Sequence, residues 1–175
     1  MSHAPARVAV GCCISVLVGI GAAWALGVRI NTSPSMPRGV WWIAPASEVR
    51  RGDAVAVCAP SAAANLGRER GYLGAGGCGD GSAPLLKVAA AVAGDMVAVA
   101  ANGLAVNGAV LADTAPVPHD AAGRELRVWP PGVYTVQSGS LWVTTPRANS
   151  WDSRYWGPAR LADVLGVARP VAVWP

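Results

Sequence analysis

The chain has few charged residues and almost no lysine. Of its 175 residues 14% are charged, and Lys87 is the only lysine beside thirteen arginines. The net charge is only +4, and the arginines are scattered along the chain without a basic run interleaved with aromatic residues. This distribution argues against nucleic-acid binding, which needs a clustered basic surface.

Histidine is nearly as scarce, with only His3 and His119 in the sequence. His3 precedes an apolar run and His119 lies in a proline-flanked loop, so a Ser–His–Asp triad has no suitable base. A metal site is also not expected, because Cys58 and Cys78 are too far apart for a zinc knuckle and lack histidine partners. We predict no metal and no cofactor.

Residues 8–28 contain no charged side chain. At 1.5 Å per helical residue they extend about 30 Å, which is the thickness of the hydrocarbon layer of a bilayer. A cleavable signal peptide is the competing interpretation, because Ala23-Trp24-Ala25 resembles a small-x-small cleavage site. The length of the run and its interfacial tryptophan favour an uncleaved anchor. The sequence leaves open whether the chain is cut after Ala25.

We therefore predict two regions: a cytoplasmic tip with a single-pass anchor (1–28), and a domain outside the cytoplasmic membrane (29–175). An exported domain permits a disulfide between Cys58 and Cys78, which would contribute roughly 3 kcal/mol. No redox function is assigned to this pair. We expect the chain to associate with the cytoplasmic membrane and expect no nucleic-acid partner.

The pattern after residue 28 predicts a mainly β domain without a long amphipathic helix. Two Gly-Asp turns each precede a valine-rich strand, at 54–57 and 96–99, and Asn107-Gly108 is typical of a type I′ hairpin. Residues 132–137 and 141–145 are predicted to form a hairpin. The Gly- and Ala-rich residues 58–82 are predicted to be a surface excursion, residues 159–164 a helical turn, and residues 171–173 a short final strand.

The single lysine lies in an apolar setting, PLLKVAAAV at 84–92. Arginine keeps its proton, whereas a buried lysine can lose it and act as a general base for a serine nucleophile. Ser33 and Ser35 lie on either side of Pro34, with Pro37 following, and we therefore predict a Ser–Lys dyad. The alternative, which the pattern allows equally, is an edge-strand Lys87 that extends its ammonium to water.

These residues resemble the motifs of the type I signal peptidase family. Four segments follow in the family's order and cover nearly all of the predicted exported domain: SPSMP at 33–37, LKV at 86–88 with GDMV at 94–97, VNG at 106–108, and DSRYWG at 152–157. The resemblance implies a signal-peptidase-like antiparallel β fold on one N-terminal transmembrane helix.

Within that family the chain looks most similar to the conjugative-transfer, or TraF, branch. The similarity lies in residues 31–33, 38–39, 70–78 and 150–154. Residues 144–148 (TTPRA) depart from the G-D-N-R-D that precedes the last motif in ordinary signal peptidases. This departure argues against a general housekeeping role.

The resemblance implies a role for each matching residue. Ser35 would be the nucleophile and Lys87 the general base. Ser33 would bind the oxyanion together with the Ser35 backbone N–H, and Ser150 would orient the Lys87 amine. Asp152 and Arg154 would form a structural ion pair, with ordinary turn and surface charges as the alternative interpretation.

The implied function is a membrane-anchored serine endopeptidase that processes a conjugative propilin, with head-to-tail cyclisation as a further outcome of acyl transfer. One alternative is a general type I signal peptidase acting on exported preproteins. Another is a non-catalytic, membrane-anchored pilus assembly factor. The sequence leaves open the substrate, its cleavage motif, the choice between hydrolysis and cyclisation, and the oligomeric state.

Overall fold

A computed structural model describes residue 15 and residues 17–174, and they form two antiparallel sheets. The strands are β1 (Val28–Asn31), β2 (Arg38–Ala44), β3 (Ala54–Val57), β4 (Leu85–Val92), β5 (Met96–Ala100), β6 (Gly103–Val106), β7 (Ala109–Val110), β8 (Gly132–Thr135), β9 (Ser140–Thr144), β10 (Ala159–Arg160) and β11 (Val164–Trp174). Besides the helical residues 17–25, the chain has the helices α1 (Ser61–Glu69) and α2 (Ser153–Trp156) and a 3-10 turn (Leu161–Asp163). The prediction of a mainly β fold is confirmed.

The larger sheet has the strand order β1-β2-β11-β3-β4-β9-β10, and the smaller has the order β7-β6-β5-β8. β11 pairs with β2 along its C-terminal part and with β3 along its N-terminal part. One hydrophobic cluster lies against the larger sheet and includes Val55, Ala89 and Val143. A second cluster joins the smaller sheet to Trp142 of β9.

Local sequence rules account for several of these elements. The alternating β3 buries Val55 and Val57 completely, as its valine pattern predicted. Asn107 and Gly108 have φ values of 50° and 84°, the two positive values that a type I′ turn requires, and they join β6 to β7. The strands predicted at 54–57 and 96–99 and this hairpin are confirmed.

The hairpin predicted for residues 132–145 is wrong, although both segments are strands. β8 pairs with β5 in the smaller sheet, whereas β9 lies between β4 and β10 in the larger sheet. Leu141 and Val143 are fully buried, so β9 gains more from a central position than from a local turn. The rings of Tyr134 and Trp142 keep the two strands in contact, with centroids 5.8 Å apart.

Residues 58–82 are more ordered than a surface excursion. α1 begins inside this segment and buries a face of small residues, Ala63, Ala64 and Gly67, against the main core. Alanine favours helix, but the many glycines elsewhere in residues 58–82 suggested an irregular segment. Cys58 and Cys78 form the predicted disulfide, with their Cα atoms 5.7 Å apart.

The end of the chain follows the prediction in kind and exceeds it in extent. The expected helical turn is the short 3-10 turn Leu161–Asp163. The expected short strand at 171–173 is part of β11, which has eleven residues and a register shift between Pro170 and Ala172.

The predicted membrane anchor lies partly outside the described residues, which omit 1–14 and 16. Residues 17–25 are helical, and Val28 already belongs to β1. No helix among the described residues combines the length and hydrophobicity that a bilayer crossing requires. The anchor therefore stays a prediction.

Candidate active site

The loop that carries the two candidate serines is held by Asn31. It joins β1 to β2, whose pairing brings Asn31 opposite Gly39. The Asn31 side-chain amide donates to the backbone oxygens of Met36 and Pro37 at 3.1 and 3.0 Å. Its Oδ1 accepts from the Ser33 N–H at 3.2 Å, which is an Asx turn. One asparagine thus fixes both ends of the loop.

Ser33 and Ser35 contact each other directly. Their Oγ atoms are 2.9 Å apart and share a hydrogen bond, and the Ser35 N–H donates to Ser33 Oγ at 3.3 Å. Ser35 is half-buried and Ser33 is exposed. The hydroxyl of Ser33 and the backbone N–H of Ser35 are therefore on the same side of the loop.

Met36 anchors this loop beside the strand that carries Lys87. Met36 is buried in a cluster with Trp41 and Ala168, and Leu86 and Val88 of β4 pack against that cluster. Because side chains alternate along a strand, Lys87 points to the opposite face of β4 from its two neighbours.

Lys87 is buried, with 2% of its surface exposed. Its Nζ donates to Ser150 Oγ at 2.6 Å, and Ser150 is buried as well. Burial lowers the pKa of Lys87 from 10.5 to about 8, while Asp152 raises this pKa and Arg154 lowers it. The alternative in which Lys87 extends its ammonium to water is wrong.

Ser150 reaches Lys87 because of the register between β4 and β9. Val88 lies opposite Thr144, and the loop that follows β9 brings Ser150 back over Lys87. Among the described residues, no hydrogen bond joins Ser35 directly to Lys87. The candidate site therefore contains two separate hydrogen-bonded pairs: Ser33 with Ser35, and Lys87 with Ser150.

Asp152 and Arg154 form a fully buried ion pair behind Ser150. Arg154 donates from Nε to Asp152 Oδ1 and from Nη2 to Asp152 Oδ2, both at 2.8 Å. Asp152 also caps α2 by accepting the Arg154 N–H at 3.2 Å. Arg154 further donates to the Arg147 oxygen at 2.6 Å and to the Ser150 oxygen at 3.3 Å. The alternative of surface charges is wrong, and the pair ties together the loop that carries Ser150.

A glycine closes this motif where no other residue fits. Gly157 ends α2 with φ of 75°, and a Cβ atom there would lie 2.6 Å from the Trp129 ring. The ring packing and the backbone conformation both require glycine.

A family model described as signal peptidase, peptidase S26, matches residues 4–174. The chain belongs to this family. It is 36% identical over 179 residues to the plasmid transfer protein TraF of Escherichia coli, with 99% of this chain and 100% of that protein covered. It is 39% identical over 163 residues to a probable conjugal transfer protein TraF of Sinorhizobium fredii, with 89% and 82% covered.

Among solved structures, the signal peptidase I of Enterococcus faecalis V583 is similar, with a TM-score of 0.40 and 19% identity. The similarity covers 69% of this chain and 97% of that one.

Two features of this peptidase S26 chain were not assigned from the sequence. Asn31 had no predicted role, although an Asn two residues before a serine, followed by proline, is a signal for an Asx turn. Ser153 accepts the Val143 N–H at 2.9 Å and so joins α2 to β9. In the described part of the chain, no group of three or more His, Cys, Asp or Glu side chains is placed to hold a metal ion.

Proposed function

We propose that this chain is a serine endopeptidase of a conjugation system, with Ser35 as its nucleophile and Lys87 as its general base. The observation that carries the proposal is the state of the only lysine. Lys87 is buried, bonded to a buried hydroxyl at 2.6 Å, and has its pKa lowered to about 8. An amine in this setting is neutral in a useful fraction of molecules near neutral pH, as a general base must be.

The reaction would begin when the neutral Lys87 amine takes the proton from Ser35 Oγ. The Oγ–carbon bond forms at the scissile carbonyl, and the resulting oxyanion accepts hydrogen bonds from the Ser35 N–H and the Ser33 hydroxyl. Cleavage of the carbon–nitrogen bond then releases the amine, to which the Lys87 ammonium returns the proton. Water, activated by the same amine, hydrolyses the acyl-enzyme.

This step needs a hydrogen bond between Ser35 and Lys87 that forms when substrate binds. Catalytic hydrogen bonds are often longer before substrate binds and tighten in the complex. Rotation of the Ser35 side chain away from Ser33 would free the Ser33 hydroxyl for the oxyanion. Ser150 would accept a hydrogen bond from one N–H of the Lys87 amine, so that the nitrogen lone pair of Lys87 faces Ser35.

The substrate we propose is the propilin of a conjugation system, bound as an extended segment and cut after a small residue. The names of the similar transfer proteins support a role in conjugation. Backbone pairing against a strand edge is the recognition that a β domain offers to an extended peptide. An amine of the same chain would replace water where cyclisation occurs, provided that it is positioned and water is excluded.

We further propose that residues 8–28 anchor the enzyme in the cytoplasmic membrane, with the peptidase domain on the outer side. The charge-free run and the Cys58–Cys78 bridge support this location, because disulfides persist in oxidising compartments.

The test is intact mass spectrometry of a candidate propilin co-expressed with the wild type, with Ser35→Ala, or with Lys87→Arg. Ser47→Ala, at an exposed serine, is the matched control. We expect a truncated product with the wild type and the control, and none with Ser35→Ala or Lys87→Arg. A product one water lighter than the linear fragment would identify cyclisation.

Two results would contradict the proposal. Retained cleavage by Lys87→Arg would rule out Lys87 as the general base, because arginine cannot give up its proton. Unchanged substrate in every strain, together with no labelling of Ser35 by an acylating probe, would indicate a non-catalytic assembly factor. Cleavage of unrelated exported preproteins would instead indicate a general signal peptidase.

A further inference from the structure

Trp151, the residue after Ser150, is hydrogen-bonded to α1 and contacts two aromatic rings outside that helix. Its indole N–H donates to the Ala63 oxygen at 3.2 Å. The ring stacks on Tyr155 with centroids 5.4 Å apart and planes 20° apart. A second contact joins it to Tyr72, also at 5.4 Å and tilted by 56°. These contacts leave the indole one defined position.

The surface that receives Trp151 is shaped for a large ring. A Cβ atom at Gly67 would lie 3.3 Å from Trp151 Nε1 and 2.9 Å from Leu73 Cδ1, so a glycine lets the ring approach the helix. The Cys58–Cys78 bridge closes the segment that contains α1. The helix is therefore a fixed support and not a mobile flap.

Tyr72 is fixed from its other side. Its hydroxyl donates a short hydrogen bond to Asp120, and Arg124 Nε donates to the same carboxylate at 2.7 Å. The hydrogen bond from Tyr72, followed by those from Arg124 and Ala122, holds the pKa of the Asp120 carboxyl well below its usual value. The carboxylate stays charged, and the ring partner of Trp151 cannot turn away.

On its other side, Trp151 adjoins the residues that surround Lys87. Ser150 accepts the Lys87 hydrogen bond at 2.6 Å, and the charged groups that act on Lys87 are Asp152 and Arg154. Ser150 and Asp152 are the two chain neighbours of Trp151. Because the indole is fixed, the backbone of residues 150–152, which carries Ser150 and Asp152, is fixed as well.

We propose that Trp151 is a positioning residue that acts through Ser150. By binding α1, it fixes residues 150–152 over Lys87, which excludes water from the Lys87 amine and keeps that amine oriented. The catalytic consequence rests on the function proposed above, whereas the effect on Lys87 can be measured without any substrate. A segment that the sequence presents as peripheral thereby supports the general base.

The test uses the single lysine of the chain as a reporter. In the full-length protein labelled with ¹³C,¹⁵N-lysine, Lys87 gives one side-chain signal, which is followed by NMR as a function of pH. The variants are Trp151→Leu, which loses the rings and the bond, and Trp151→Phe, which loses only the bond. Tyr134→Leu is the matched control, because Tyr134 also bonds a backbone oxygen, at 2.8 Å, and contacts two aromatic rings.

We expect Trp151→Leu to raise the Lys87 titration midpoint by about one pH unit toward that of a solvated lysine, since water then reaches the amine. Trp151→Phe should move it less, in the same direction, and Tyr134→Leu should leave it in place while lowering the melting temperature. The proposal is overturned if the folded Trp151 variants move the midpoint no more than the control does. If Trp151→Leu does not fold, Trp151→Phe decides.

Kinetics on a cleaved substrate provide a second readout. A rise of about one unit leaves about tenfold less neutral amine at pH 7, so kcat of Trp151→Leu should fall about tenfold there and recover as the pH rises. KM should be unchanged. A uniform loss of kcat at every pH would indicate damage to the fold and contradict positioning. Absence of Ser35-dependent cleavage in the wild type would overturn the proposed function and leave the lysine titration to decide this inference separately.

Discussion

Substitution of Lys87 by methionine removes a charge that folding must bury, and we expect it to stabilise the protein at neutral pH while abolishing catalysis. The pKa of Lys87 falls from 10.5 to about 8 on folding because of burial. At 1.36 kcal/mol for each pH unit, this difference destabilises the folded wild type by about 3 kcal/mol at pH 7.

The sign follows from the protons that each state binds. Between pH 8 and 10.5 the unfolded chain keeps the lysine proton and the folded protein has lost it, so the stability of the wild type rises with pH in this range. The penalty is complete below about pH 8 and vanishes above about pH 10.5. Methionine has a similar unbranched shape, but it leaves the Ser150 hydroxyl without its donor, which costs roughly 1 kcal/mol. The net gain for Lys87→Met is about 2 kcal/mol at pH 7 and close to zero at pH 10.

Urea unfolding at pH 7 and pH 10, with the disulfide intact, measures both differences. Leu86→Met, at the preceding position of β4, is the matched control, and its effect should not depend on pH. The reasoning would be refuted if the difference in unfolding free energy between Lys87→Met and the wild type were equal at the two pH values. This result would show that folding does not lower the pKa of Lys87. A variant less stable than the wild type at pH 7 would contradict the predicted gain of about 2 kcal/mol.

Two further substitutions and the reduction of the disulfide test the support around this site. Arg154→Met should lower the free energy of unfolding by about 3–5 kcal/mol in urea, since Asp152 would remain buried without its partner; an effect below 1 kcal/mol would contradict this. Reduction of the Cys58–Cys78 bridge, which closes a separation of 20 residues, should cost about 3 kcal/mol and lower the melting temperature; an unchanged melting temperature would contradict that estimate. Gly157→Ala should destabilise by more than 1 kcal/mol, because the φ of 75° is strained for alanine and the new methyl group meets a tryptophan ring; calorimetry against Gly77→Ala, where a methyl group meets nothing, provides the comparison.

The sequence predicts those elements of the fold whose signals are local. Val55 and Val57 alternate with small residues, and Asn107-Gly108 adopts the only turn that its positive φ values favour. The strands with which β8 and β9 pair escaped prediction, because these partners depend on which sheet each strand joins. A short turn at 138–140 is compatible with a hairpin and equally with a crossing between two sheets.

The missed helix α1 has a different cause. Its residues SAAANLGRE contain one large apolar side chain, Leu66, and its buried face consists of the small residues Ala63, Ala64 and Gly67. Ala63 and Gly67 are buried because they are small enough for close approach of Leu73 and Trp151. Such a face can be identified only when the partners that need the space are known.

The candidate site was predictable in composition and not in geometry. The rarity of lysine singled out Lys87, and its apolar neighbours made a buried amine one of two equally open alternatives. Its contact with Ser150 spans 63 residues and depends on the β4–β9 register, which no local pattern contains. The network of Tyr72, Asp120 and Arg124 likewise joins distant loops and left no signal in the sequence.

The position of β11 has a consequence for how the two parts of the candidate site are held together. The strand lies between β2, which follows the serine loop, and β3, which pairs with the lysine strand β4. Within the larger sheet, β11 is therefore the connection between the serine loop and the lysine strand. Pairings between parts of a chain so distant in sequence form slowly in folding. A substitution that weakens the β11 pairings would separate the two parts of the site even if each part kept its own strands.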